Sequence, residues 1–162
     1  DASLYLHASA QDGPGSGVVS ITVNNDVYGS QPIVLNTAVG RHVYEVKAKD
    51  AAGHSSVQTV AYAVYQYEDL TKELVGDKAP AANSTIPLKF RIIGGNGTVT
   101  NAAATVVLEG ASSEEGEFTW RGNHYQYNLN TQGFAPGDYS LQLRISLNGV
   151  QFPIRSIPLQ LR

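Results

Sequence analysis

Short runs in which apolar and polar residues alternate are the feature that most limits the fold of this chain. In one such run Val19, Ile21 and Val23 alternate with Ser, Thr and Asn, which is the period of a β-strand with one buried face. Glycine, proline, asparagine and aspartate interrupt these runs at intervals of roughly 8 to 12 residues, as turns do in a β-sandwich. The pattern predicts little helix and a series of strands. The predicted strands are residues 4–10, 18–24, 33–35, 42–49, 57–67, 86–93, 99–107, 116–120, 125–129, 139–147 and 150–161.

The run at residues 42–49 is less regular than the others. Its apolar positions are Val43, Val46 and Ala48, and Glu45 interrupts the strict alternation. The run is still rich in residues that favour strands, so a strand with one irregular position is expected there.

The length of the chain and a change of composition near its middle predict two domains. A chain of 162 residues is long for one small sandwich and suits two of somewhat under ~100 residues each. Residues 67–77 carry the densest run of charges, and residues 78–84 are rich in Pro, Ala, Asn and Ser. We therefore expect two all-β sandwich domains, at 1–66 and 67–162. A short helix at residues 68–74 is an open alternative, although two turns alone are marginal.

The composition argues against several kinds of partner and site. The net charge is −3 and the isoelectric point is about 5.7, so no basic footprint for nucleic acid or for an anionic membrane is expected. No cysteine occurs, which excludes disulfides and thiolate metal sites. No apolar run approaches the ~18 residues of a membrane span, so we expect no membrane insertion.

The same composition indicates where the protein works. Charged residues make up 15% of the chain, against a usual value of ~25%, so Ser, Thr, Asn, Gln and Gly must form much of the surface. This is typical of extracellular β-proteins, and the lack of cysteine is typical of bacterial ones. The lack of methionine leads us to expect that Asp1 is a processing site or a domain boundary.

The first predicted domain carries two motifs of a known class of module. One strand reads Gly-Ser-Gly-Val-Val-Ser-Ile-Thr-Val from Gly15, and a later strand ends in Asp-Ala-Ala-Gly-His from Asp50. These motifs resemble those of the bacterial immunoglobulin-like and fibronectin-like modules appended to secreted hydrolases and surface proteins. The resemblance implies an immunoglobulin-like fold for residues 1–66, and a role as carrier, spacer or adhesive.

Three ordered motifs characterise the second predicted domain. Residues 86–90 read Ile-Pro-Leu-Lys-Phe, residues 125–133 read Tyr-Gln-Tyr-Asn-Leu-Asn-Thr-Gln-Gly, and residues 137–141 read Gly-Asp-Tyr-Ser-Leu. Together they resemble the bacterial module named for its Pro-x-Lys-Phe signature. The resemblance implies an immunoglobulin-like sandwich of unknown molecular role at the C-terminal end of secreted bacterial proteins. The acidic residues 109–117 depart from that family, and we interpret them as an exposed loop.

The strand at residues 86–93 has a definite predicted register. A period of two places Leu88 and Phe90 on one face with Ile92, while Pro87 and Lys89 point the other way. We expect the first three side chains to be buried.

Another local pattern predicts a tight hairpin near the end of the chain. Asn148-Gly149 lies between two strand-like runs, and this dipeptide favours the type I′ turn. Pro153 and Pro158 follow, which predicts that the last strand is broken or lies at a sheet edge.

No combination of residues predicts catalysis. Ser16 lies in a Gly-rich turn without the strand-to-helix geometry of a nucleophile elbow. The glutamates of residues 114–117 lie in a Gly/Ser-rich stretch, where solvent would keep them ionised. The histidines occur in no spacing that would bring two to one site by local geometry: His7, His42, His54 and His124. We therefore expect no catalytic residues, no enzyme activity and no organic cofactor.

Calcium is the metal that the sequence leaves open. Asp12, with the carbonyl groups of residues 13–17, or Asp50, with Asp26, would supply the oxygen ligands that calcium prefers. Because carboxylates are sparse and no Asp-x-Asp spacing occurs, no metal site is predicted. Asp12 and Asp50 are the weak candidates.

Carbohydrate binding is the functional alternative. Aromatic rings with neighbouring amides can form a sugar platform, and Trp120, Tyr125 and Tyr127 lie close together in one predicted hairpin. Tyr65 and Tyr67 would share a face of another strand. The competing interpretation is that a small sandwich needs these rings in its core.

These observations predict a non-catalytic accessory segment of a larger secreted or cell-surface bacterial protein, with an extracellular hydrolase as the expected parent. The expected partners are the other domains of that protein, with polysaccharide or cell wall as a further candidate. The alternative function is a carbohydrate-binding or adhesive module.

Overall fold

The chain folds almost entirely into antiparallel β-sheets. A computed structural model describes residues 4–71, 73–109 and 114–162, and in these residues the only helical element is the 3-10 helix Gly76–Lys78. The chain divides into two compact units, Asp1–Tyr65 and Gln66–Arg162. No helix in the described residues is long and apolar enough to cross a bilayer.

The first unit contains one four-stranded and one two-stranded antiparallel sheet. Its larger sheet has the order β3-β2-β5-β6, and its smaller sheet pairs β1 with β4. The strands are β1 Tyr5–Leu6, β2 Val18–Val23, β3 Asp26–Val27, β4 Ile33–Val34, β5 Gly40–Asp50 and β6 Ser55–Val64.

Strand β5 alternates without interruption, contrary to the prediction for Glu45. Half-buried and exposed residues alternate along its whole length, and Glu45 lies on the exposed face as the period requires. The misplaced residue is Val43, which is apolar but points outward and is 42% exposed. The sequence is irregular here because a valine occupies a solvent-facing position, which a surface tolerates well.

Strand β2 departs from strict alternation at Val19. The pairing of β2 with β5 shifts between Val18 and Ser20, so Val19 is the extra residue of a β-bulge and is 61% exposed. Val23 regains the inward face and is buried. The prediction that Val19 shares the buried face is therefore wrong, because a bulge reverses the side-chain direction within a strand.

The second unit contains two five-stranded antiparallel sheets. One has the order β11-β10-β14-β15 with β16 also paired to β14, and the other has the order β12-β13-β8-β7 with β9 also paired to β8. The strands are β7 Gln66–Asp69, β8 Thr85–Gly94, β9 Gly97–Thr98, β10 Ala103–Glu109, β11 Glu114–Glu117, β12 Thr119–Trp120, β13 Tyr125–Asn130, β14 Gly137–Leu147, β15 Val150–Gln151 and β16 Arg155–Leu161.

Both sheets of the second unit contribute to one hydrophobic cluster. Strand β8 buries Leu88, Phe90 and Ile92, as its sequence period predicts, while Pro87 is exposed and Lys89 is half-buried. The cluster unites buried residues of β8 and β13 with those of β10, β14 and β16. Its members are Leu74, Ile86, Leu88, Val106, Leu108, Leu129, Phe134, Leu141, Leu159 and Leu161.

The predicted hairpin at Asn148-Gly149 is confirmed. Leu147 pairs with Val150, and the two turn residues have φ angles of 52° and 80°, as a type I′ turn requires. The last strands behave as the prolines predict. The chain leaves the sheet between β15 and β16, around Pro153, and β16 pairs only with β14 among the described strands.

Two segments of the second unit differ from the sequence prediction. Gln66–Asp69 forms strand β7 beside β8, so no helix begins at Glu68, and residue 72 lies outside the described residues. Glu114–Glu117 forms strand β11 beside β10, so the acidic segment is not entirely a loop, and residues 110–113 lie outside the described residues. In both cases a neighbouring strand supplies backbone partners that the local sequence does not reveal.

Candidate functional site

The structure brings Trp120 and Tyr125 together across the β12–β13 hairpin. The two residues are direct partners in the pairing of these strands, and their rings meet edge to face at 5.0 Å. The Tyr125 ring also stacks on Phe90 at 5.0 Å, and only 2% of Tyr125 is exposed. A stacked sugar needs an open ring face, so Tyr125 in this position offers none.

The hydroxyl group of Tyr125 has a structural partner. It accepts a hydrogen bond from the backbone N–H of Ala102 at 2.8 Å. Burial raises the pKa of the Tyr125 hydroxyl, with an opposing effect from this hydrogen bond. The ring therefore ties the segment before β10 to the opposite sheet.

Tyr127 is half-buried and packs against the hydrophobic cluster. Its ring lies so close to Gly116 on the edge strand β11 that a Cβ atom at that glycine would overlap the ring. Phe118 lies 5.9 Å away, centroid to centroid. The contact of Gly116 with the Tyr127 ring joins strands of two different sheets, and no local sequence pattern predicts it.

Trp120 is the remaining ring of the predicted platform. It is half-buried, and its ring contacts the Tyr125 ring edge to face, so the two rings do not form one flat surface. Tyr125 is buried and Tyr127 packs against the hydrophobic cluster and Gly116, so Trp120 is the remaining candidate for a sugar contact.

The outward face of β13 carries a row of hydrogen-bonded polar side chains. Asn123 Oδ1 lies 2.6 Å from His124 Nδ1, and His124 Nε2 lies 3.2 Å from Gln126 Oε1. Gln126 then donates to Asn128 Oδ1 at 2.9 Å. His124 therefore lies between the amide oxygens of Asn123 and Gln126, and the row continues to Asn128.

The tyrosines of the strand predicted at residues 57–67 are divided between two strands. Tyr62 belongs to β6, where its ring stacks on His42 at 5.1 Å and on Tyr44 at 6.1 Å. Tyr67 belongs to β7 and stacks on Phe90, with the Arg155 guanidinium 4.2 Å above its ring. Tyr65 lies between the two strands, at the end of the first unit, so Tyr65 and Tyr67 do not belong to one strand.

The two calcium candidates, Asp12 and Asp50, line one concave recess of about 390 Å³ in the first unit. Asp12 Oδ2 accepts the backbone N–H of Gly17 at 2.7 Å. The carboxylate of Asp50 accepts the backbone N–H of His54 at 2.7 Å and its Nδ1–H at 2.9 Å. Each carboxylate therefore already has a donor from its own turn.

The alternative pairing of Asp50 with Asp26 is excluded by the register of β2. Asp50 lies opposite Val18 and Asp26 lies opposite Val23, at the two ends of that strand. Five residues of strand separate them by roughly 16 Å, too far for one ion. In the part of the chain that the structure describes, no group of three or more His, Cys, Asp or Glu side chains is arranged to hold a metal.

The pair of Asp50 and His54 predicts a pH effect. The His54 ring, as the principal cause, lowers the pKa of the Asp50 carboxyl, although burial opposes this. Because the pKa of Asp50 is lower in the folded state than in the unfolded state, the ionised carboxylate stabilises the fold. This contribution to stability is fully present above about pH 4 and is lost as the pH falls through the lowered pKa. We expect His54→Ala to raise the pKa of Asp50 in a carboxyl ¹³C NMR titration.

The exposed His7 provides the matched control for that titration, because it belongs to the same unit and has no contact with Asp50 among those described. His7→Ala should leave the Asp50 titration unchanged. An Asp50 pKa that is the same in wild type and His54→Ala would contradict the assigned cause.

Comparison of the chain with models of known protein families, with curated proteins and with solved structures finds no significant match.

Proposed function

We propose that the chain is a non-catalytic accessory segment of a larger secreted or cell-surface bacterial protein, with an extracellular hydrolase as the parent. In this role it spaces, stabilises or docks the working domain. The observation that carries the proposal is the division into two compact β units in series, Asp1–Tyr65 and Gln66–Arg162. Consecutive small β-domains are a common construction of cell-surface proteins.

For the second unit, the proposal includes an immunoglobulin-like sandwich of the Pro-x-Lys-Phe type. Its support is that each five-stranded sheet contributes apolar residues to one cluster, as two sheets packed face to face do. The motif residues also meet. Phe90 of the Pro-x-Lys-Phe segment lies directly opposite Tyr125 of the Tyr-x-Tyr-Asn-Leu segment.

For the first unit, the proposal is an immunoglobulin-like or fibronectin-like module. Its two sequence motifs lie side by side, because Val18 pairs with Asp50 at the end of the β2–β5 ladder. The N–H of Ala51 donates to the carbonyl of Gly17 at 3.1 Å, and the N–H of Ala52 donates to Ser16 Oγ at 3.2 Å. The Gly-Ser-Gly and Asp-Ala-Ala-Gly turns thus support each other, which gives both motifs a structural purpose.

A test of the accessory role is the size of the native gene product. The 162 residues account for 17.3 kDa. Mass spectrometry of the protein secreted by its source is expected to find a substantially larger chain with a further domain, and deletion of this segment should leave turnover by that domain measurable. A native product of this size alone would contradict the proposal.

For the second unit, the choice between a spacer and a sugar-binding module depends on the β12–β13 hairpin. With Tyr125 buried and Tyr127 packed on Gly116, a platform would depend on Trp120 alone, and one ring binds weakly. We expect no measurable retention of the chain on insoluble cellulose, chitin, xylan or starch in pull-down or affinity electrophoresis. Retention that disappears in Trp120→Ala would instead favour the carbohydrate-binding alternative.

A further inference from the structure

All cationic Lys and Arg side chains of the first unit lie on one face of its larger sheet. Residues 1–65 contain only Arg41, Lys47 and Lys49. All three belong to β5 at alternate positions, and all three are exposed. Because side chains at i and i+2 of a strand share a face, the period of β5 gathers every Lys and Arg of this unit onto one surface.

Two of these cations line an open recess of about 240 Å³. The recess is completed by Ser20 and Thr22 of β2 and by Asn25 of the following turn. Its geometry follows from the register, since Ser20 lies opposite Lys49 and Thr22 lies opposite Lys47. Cross-strand partners point to the same face, so the two ammonium groups are flanked by two hydroxyl groups.

Neither ammonium group is neutralised within the described residues. The carboxylates of the described ion pairs are those of Asp50, Glu68, Glu73 and Asp77, and none of these pairs includes Lys47 or Lys49. On the other side of β5, Lys47 lies opposite Val57 and Lys49 lies opposite Ser55, which are both uncharged. The recess therefore has a local positive charge on a chain whose net charge is −3.

We propose that this recess, formed by Ser20, Thr22, Asn25, Lys47 and Lys49, docks a linear polysaccharide that carries carboxylates. The ammonium groups pair with the carboxylates, and the hydroxyl and amide groups bond to sugar hydroxyls. This inference rests on the accessory role and names a polymer to which the segment attaches its parent protein.

An acidic side chain on the same face of β5 favours this polymer over other polyanions. Glu45 also points outward from β5, two residues before Lys47. A densely charged polyanion such as nucleic acid or polyphosphate would lay a phosphate against Glu45. A polysaccharide with one carboxylate per sugar presents neutral hydroxyl groups between its charges, which suits a recess with three neutral polar side chains and two cations.

The test is affinity electrophoresis of the whole 162-residue chain through gels that contain polygalacturonate. At about 10 mM salt, where the Debye length is about 30 Å, we expect clear retardation, and at about 1 M salt we expect none. The double variant Lys47→Gln/Lys49→Gln should bind about tenfold more weakly, because two exposed ionic contacts are lost. The matched control is Lys78→Gln/Arg144→Gln, which removes two exposed cations of the second unit and should bind like wild type.

Three comparisons make the proposal falsifiable. Equal retardation by methyl-esterified polygalacturonate would show that carboxylates are not recognised. Equal losses in the two double variants would show an effect of net charge rather than of this recess, and stronger binding to polyphosphate or duplex DNA would assign the surface to a different polyanion. Each of these outcomes would overturn the binding of polyuronate, and so would an absence of retardation of the wild-type chain. The accessory role is tested separately, by the mass of the native gene product and by deletion of this segment.

Discussion

Replacement of Phe90 by alanine is expected to lower the free energy of unfolding of the second unit by about 3–5 kcal/mol. Phe90 is 1% exposed and lies at the centre of an aromatic group. Its ring centroid is 5.5 Å from that of Tyr67, 4.9 Å from that of Phe118 and 5.0 Å from that of Tyr125. Because these three neighbouring rings belong to β7, to the segment before β12 and to β13, they cannot all close on the cavity.

The measurement is urea denaturation followed by tryptophan fluorescence. Trp120 is the only tryptophan and lies in the second unit, so its emission reports the unfolding of that unit alone. The control is Lys89→Ala on the same strand, which should cost less than about 1 kcal/mol because Lys89 is only half-buried. A larger loss for Lys89→Ala than for Phe90→Ala would show that the register of β8 is wrong.

Replacement of Thr131 by valine is expected to cost about 1–3 kcal/mol, although valine has the same shape and is more apolar. Thr131 is completely buried. Its hydroxyl oxygen accepts the backbone N–H of Ser84 at 2.9 Å, and its proton is donated to the carbonyl of Ser84 at 2.8 Å. Valine would leave the N–H of Ser84 without this acceptor where β8 begins beside the end of β13.

The matched variant is Thr131→Ser, which keeps the hydroxyl group and removes one methyl group. It should cost about 0.8 kcal/mol, the transfer free energy of one buried carbon group. The same tryptophan-monitored urea curves measure both variants. If valine proved less destabilising than serine, apolar packing rather than the pair of hydrogen bonds would be the main contribution of Thr131 to stability.

The candidate sites show which kinds of residue can be found from sequence. The sequence predicts that Trp120 and Tyr125 are neighbours because they belong to one hairpin, and it marks Asp12 and Asp50 because Asp and Gly favour turns. No local pattern predicts the basic recess, since it needs the register of β2 against β5 to place Ser20 beside Lys49. Whole-chain net charge conceals such a surface, because charge is averaged over both faces of every strand.

Some features of the fold have causes that lie within a few residues of the chain. The period of two in β8 fixes which side of the strand Phe90 faces, and the positive φ angles that Asn148 and Gly149 tolerate fix the turn between β14 and β15. These local preferences do not depend on what the strand later packs against.

Other features depend on a pairing partner that is distant in the chain. Glu114–Glu117 is a strand because β10 offers backbone partners, and Gln66–Asp69 is a strand because β8 does. Val19 points outward because β5 sets the pairing on either side of its bulge. Strand pairing satisfies backbone hydrogen bonds between segments far apart in the chain, so local propensity, which is weak and dependent on context, yields to it.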